Sequence, residues 1–130
     1  MAFKASLKFS GKKYDVLHCR YELRRDVDPK GRPSSGVYGG EITVEIEANA
    51  DTSVIEGMVN NQYKPVNGTL TIMKGDEESS MKEITFSDAY ITRFHEKMWA
   101  QGSAAMITEF VLSARVIKMG SAEHENDWPK

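Results

Sequence analysis

The groupings best suited to chemistry in this chain are His18-Cys19, the carboxylates Glu41, Glu45 and Glu47, and the acidic run Asp76-Glu77-Glu78. A histidine beside a cysteine could activate a thiolate or ligate zinc. Here Leu17, Cys19, Tyr21 and Leu23 alternate with polar residues, which predicts a strand. Strand neighbours point to opposite faces, so His18 and Cys19 do not converge, and Cys19 reads as a small buried hydrophobe. Paired carboxylates can share acid–base work. Glu41, Glu45 and Glu47 instead alternate with Ile42, Val44 and Ile46, the pattern of a solvated or channel-facing strand surface. Asp76-Glu77-Glu78 lacks the alternating oxygen ligands of a calcium loop and reads as a solvated hairpin turn. His95 and His124 have no partner at ligand spacing, and neither HExxH nor CxxC occurs. Ser34 and Ser35 fit no nucleophile motif. Gly36-Val37-Tyr38-Gly39-Gly40 leads into a strand, not into the helix a phosphate-cradling loop requires. The expectation is no catalytic residue, no cofactor, no metal and no enzyme.

What must be positioned is therefore a surface. At 130 residues the chain is one domain, large enough for a core. A net charge of −2 gives no reason to expect nucleic acid. One cysteine excludes an intramolecular disulfide. Near the N-terminus Phe3, Ala5, Leu7 and Phe9 alternate with Lys4, Ser6 and Lys8, which is neither a signal peptide nor a membrane span. The expected compartment is cytoplasmic, without membrane insertion, and any export uses a route that reads no N-terminal signal.

Period-two alternation dominates, so the expected fold is mostly β, an antiparallel β-barrel with one short flanking α-helix. The helix is placed over 51–61, with Ser53 and Glu56 at capping-box spacing and Gly57 costing about 1 kcal/mol relative to alanine. Asn67-Gly68 matches both a glycosylation sequon, with Thr69, and the strongest hairpin signal; the turn is preferred. Strands follow at 69–74, 81–86 and 89–99, with a bend at Ser87-Asp88, and a last strand runs over 105–118. The barrel domain is thus 1–119, and 120–130 is a polar tail with an exposed Trp128.

Two features point to self-association. Residues 24–40 form a long loop whose two prolines and four glycines make it a built object rather than filler. Ordering such a loop costs conformational entropy, which docking on another copy would offset. In the last strand Met106, Phe110, Leu112, Ala114 and Val116 alternate with Ile107, Val111 and Ile117, so both faces are apolar. A barrel buries only its inner face; the outer one must meet the helix or another subunit. Ile107, Val111 and Ile117 are the candidate interface face.

The ordered set Phe3-Lys4-Ala5, Gly11-Lys12-Lys13-Tyr14-Asp15-Val16-Leu17, Gly31-Arg32-Pro33-Ser34-Ser35, Asp51-Thr52-Ser53, Met81-Lys82-Glu83, Asp88-Ala89-Tyr90, Ser113-Ala114-Arg115 and Ala122-Glu123-His124-Glu125-Asn126-Asp127-Trp128 resembles the type VI secretion system tube proteins, the Hcp or TssD family, in their compact form. The resemblance covers nearly the whole chain. It implies a tail-tube-like barrel, a homo-hexameric ring, and rings stacked into a hollow tube. It implies as partners the sheath and spike of the apparatus and effector proteins in the lumen. The family's inter-ring loop maps onto Asp28, Pro29, Arg32, Pro33, Ser34 and Ser35. Two rival readings are a small-ligand-binding β-barrel and a phage-type tail tube protein.

Overall fold

The computed structural model describes residues 3–48, 50–74, 80–100 and 106–128. Of the loops expected at 75–80 and 100–104, residues 75–79 and 101–104 lie outside the described residues. Among the described residues seven strands and one helix follow in chain order: β1 (Phe3–Phe9), β2 (Lys12–Arg24), β3 (Tyr38–Glu47), α1 (Ser53–Asn60), β4 (Val66–Lys74), β5 (Ser80–Lys97), β6 (Ile107–Met119) and β7 (Ala122–Glu125). They form one antiparallel sheet in the order β3-β2-β1-β4-β5-β6-β7, and a further pairing of β3 with β6 closes β1 to β6 into a barrel. The mostly-β barrel with one short helix stands as expected.

β1 and β2 join through Ser10 (φ 52°) and Gly11 (φ 75°), a tight turn whose left-handed backbone matches the twist of the strands it connects. The alternating apolar residues meet inside the barrel: Leu7 and Phe9, Ile42 and Val44, Leu70, Ile84 and Phe86, Phe110 and Leu112. Removing any one of the three phenylalanine rings costs about 3–5 kcal/mol.

Four expectations are corrected. The segments 81–86 and 89–99 are one strand, β5, bent at Asp88 (φ 52°). The bend shifts the inward residues by three positions, from Phe86 to Ala89, and facing β6 shifts with it, from Ala114 to Ile117. Strict alternation therefore fails at Ile117, which is 5% exposed and packs in the core. Arg115 fastens the bend, donating from Nε and Nη2 to Asp88 Oδ2 at 2.9 and 2.7 Å.

Asn67-Gly68 is not a turn but part of β4. The Asn67 side chain accepts from the Asp88 N–H at 2.8 Å. A methyl group on Gly68 would strike the Lys8 carbonyl oxygen and lie 2.6 Å from the Phe86 ring, so glycine is required there for close approach.

The helix is shorter than expected and lacks the Ser53–Glu56 capping box. Asp51 accepts from the Ser53 N–H at 2.9 Å, while Lys12 reaches Asp51 at 3.0 Å and Ser53 Oγ at 2.5 Å. The Ser53 hydroxyl also donates to Asp51, and together these bonds hold the Asp51 carboxyl down to about 2, the Ser53 hydroxyl contributing most. The tail, finally, adds β7 to the sheet, and Trp128 is half-buried against Tyr90, with ring centroids 5.9 Å apart.

Candidate assembly interface

Strand lengths create the first element of the site. β2 has 13 residues and β1 only 7, so their pairing ends at Ala5 opposite Val16. Beyond that point β2 pairs with β3 alone. β5 has 18 residues and β4 has 9, and their pairing ends at Val66 opposite Ala89. Beyond it β5 pairs with β6 alone. Two backbone edges, at 17–24 and 90–97, thus have no strand partner among the described residues. They flank a four-stranded sheet of order β2-β3-β6-β5 on opposite sides. Exposed edges of this kind template pairing with another chain.

The outward face of that sheet is charged in columns. Its rows read Arg20, Thr43, Val111, Arg93 and then His18, Glu45, Glu109, His95. Glutamates occupy the central strands and basic groups the flanking ones. His18 Nδ1 lies 3.3 Å from Glu45 Oε2. Glu41, Glu45 and Glu47 do form an outward acidic face, and His18 and Cys19 do point apart: Cys19 packs against the core, where burial pushes its thiol up. Ile107 is half-buried and Val111 is 9% exposed on this outward face. Ile117 is not on it.

The loop between β2 and β3 is the second element. It is a miniature fold held by polar bonds. Val27 and Pro33 form an isolated bridge. Asp28 accepts from the Lys30 and Arg32 N–H groups at 2.9 Å each, and its Oδ2 from Arg32 Nε at 3.2 Å. Those bonds, the Arg32 backbone first, hold its carboxyl below the usual carboxylate range. The Ser34 N–H donates to the Asp26 carbonyl at 2.8 Å, and Ser35 Oγ accepts from the Asp26 N–H at 2.9 Å. At the root, Tyr38 donates to Asp26 at 2.5 Å and Arg24 stacks 5.0 Å above the Tyr38 ring. Pro29, Arg32, Pro33 and Ser34 are exposed, whereas Asp28 and Ser35 are half-buried.

The structure thus separates the expected interface residues into a loop at one end and Ile107 with Val111 on a sheet face. The free edges were missed from sequence. Reading β5 as two strands concealed them; the unequal lengths of neighbouring strands were the signal. The ligand-binding alternative fares badly. Leu7, Ile42, Val44, Leu70, Ile84, Phe86, Phe110 and Leu112 fill the middle of the barrel with no exposure. A cavity of about 360 Å³ lies instead between α1 and the strands beside it, lined by Tyr14, Gly57, Met58, Tyr90 and Ile91 among others. Among the described residues no group of three or more His, Cys, Asp or Glu is placed to hold a metal ion.

The family model described as "Hemolysin coregulated protein Hcp (TssD)" matches residues 1–129. Hcp1 from Flavobacterium johnsoniae superposes with a TM-score of 0.88 at 34% identity, covering 95% of this chain and 99% of that one. Hcp1 from Salmonella typhimurium gives 0.76 at 14% identity, covering 96% and 95%. A chain from the anti-feeding prophage baseplate gives 0.54 at 14% identity over 91% of each, which is a likeness of fold. Comparison with curated proteins gave no match.

Proposed function

The chain belongs to the Hcp (TssD) family, and on that premise we propose that this subunit of a type VI secretion tube closes hexameric rings by joining the free edge of β2 in one copy to the free edge of β5 in the next. The observation that carries this reading is the pair of unpaired edges on opposite flanks of one sheet. β2, β3, β6 and β5 alternate in direction, so β2 and β5 run antiparallel. A copy placed beside another presents β2 to β5 in the antiparallel sense already used throughout the barrel. The contact joins different patches on the two copies, the kind of contact that builds a ring when its rotation closes. Ile107 and Val111 lie on the outward face of the joined sheet. The loop bearing Asp28, Pro29, Arg32, Pro33, Ser34 and Ser35 stacks one ring on the next. The tube, driven by the sheath and tipped by the spike, carries effectors and leaves the cell through the apparatus. The protein performs no catalysis itself.

No helix among the described residues is long and apolar enough to cross a membrane. The testing experiment is native mass with negative-stain imaging of the wild type and of Leu17→Asp. Leu17 is 60% exposed at the free edge of β2, so the variant is expected to keep its melting temperature and lose its rings. Hydrogen exchange should be slow at 17–24 and 90–97 in the ring. Fast exchange there, with rings intact, would sink the edge-pairing reading.

A further inference from the structure

The loop needs a receiving surface, and the opposite pole of the molecule carries one. Strand register fixes the two poles. Arg24 pairs with Tyr38 beside the loop, whereas Glu47, Ile107 and Lys97 pair at the far end of the same sheet. β3 alone, with 10 residues, separates them by about 33 Å. At the far pole Met98, Trp99 and Met106 are 68%, 50% and 41% exposed. They flank the β5 and β6 ends and are held in place: the Ala48 N–H donates to the Met106 carbonyl at 2.8 Å, and Lys97 Nζ sits 5.7 Å over the Trp99 ring. Three large apolar side chains exposed where β5 ends and β6 begins are the kind of surface that marks an interface.

The loop is its complement. Val27 is 64% exposed, and Pro29 and Pro33 are exposed around it. The loop carries Arg24, Arg25, Lys30 and Arg32 against Asp26 and Asp28; the patch rim carries Glu47 and Glu96 against Lys97. A basic, apolar-tipped projection at one pole thus faces an apolar patch with an acidic excess at the other. Rings that met loop pole to loop pole would also have to meet far pole to far pole, through two separate contacts. A stack built from one repeated head-to-tail contact sets the loop against the far pole.

We propose that Met98, Trp99 and Met106 form the socket that receives Val27 and its flanking prolines from a second copy in the adjacent ring. This rests on the tube-subunit reading and names its inter-ring partner surface.

The test places Val27→Cys and Met98→Cys together in a Cys19→Ser background, oxidises the assembled protein, and compares it with each single-cysteine variant. The expected result is a ladder of covalent multimers on a denaturing gel from the double variant, since each subunit links upward and downward, and no ladder from either single variant. In parallel, Trp99→Lys is expected to leave rings at full native mass and to remove stacks. Stacked rings by electron microscopy with no ladder, or with dimers only, would overturn the socket while leaving the tube reading intact. A monomer by native mass in the unsubstituted protein would overturn the tube reading and the socket with it.

Discussion

The loop at 25–37 and the tail at 120–128 are both polar, both outside the barrel strands read from sequence, and both ordered, yet they are ordered by opposite means. The loop bonds to itself: Asp28 to Lys30 and Arg32, Ser35 to Asp26, Val27 to Pro33. The tail bonds to the barrel. The Asn126 amide donates to the carbonyls of Gly39 and Ala114 at 2.7 and 3.0 Å, bridging β3 and β6 where the two strands part. His124 Nε2 meets Asn126 Oδ1 at 2.9 Å, and Arg115 Nη1 donates to Glu125 at 2.6 Å. Gly40 passes beneath with φ 93°, and a methyl group there would come within 3.2 Å of the Ala114 carbonyl and of the Asn126 amide. A self-bonded segment can be removed without unfolding what it stands on; a segment that satisfies the barrel's own carbonyls cannot.

The largest expected effect sharpens that contrast. Replacing residues 26–36 by a short Gly-rich turn should leave the melting temperature within a few degrees and the rings intact, while abolishing long tubes and secretion. Ending the chain after Met119 should instead lower the melting temperature steeply and remove the rings as well. If both truncations left a stable ring, the tail would not be a seam of the barrel.

A single atom group comes next. Asn126→Ala strands the carbonyls of half-buried Gly39 and buried Ala114, at a cost of roughly 1–3 kcal/mol in chemical unfolding, whereas Asp28→Ala in the loop should be silent in unfolding and visible only as fewer stacked rings. An equal loss of stability from both would erase the distinction.

The smallest effect concerns acid. The Asp51 carboxyl is held down to about 2, below its unfolded value near 4. A depressed group stabilises the fold when ionised, so its contribution is complete above about pH 4 and lost as pH falls through about 2. Asp51→Asn should flatten that stretch of a pH titration of helical signal at the start of α1. An unchanged acid limb would show that the Lys12–Asp51–Ser53 cluster does not anchor the helix.

Much of this molecule was legible in its residues. Alternation located β1, β2 and β3, because a strand with one face in a core must repeat with period two. The loop was legible because two prolines and two glycines between long strands suit a turn-rich connection, with Gly39 and Gly40 of β3 at its exit. The site was legible only in part. Ile107 and Val111 fall on the outward face as alternation places them, but Ile117 does not, since the bend at Asp88 moves both β5 and β6 out of phase. Nothing local announced that bend, which rests on Arg115, 27 residues away in sequence.

By itself the sequence determined the class of the fold, the helix and the protruding loop. Each of these depends on residue type at near neighbours, through backbone preference and side-chain alternation. Tertiary structure decided the rest. It set which long strands, among the described residues, outrun their partners, where β5 and β6 change phase together, how the tail closes the seam at Gly39 and Ala114, and that the loop and Met98, Trp99 and Met106 stand at opposite poles. Those facts depend on strand register between residues far apart in the chain, and register is fixed only when the whole sheet closes on a common core.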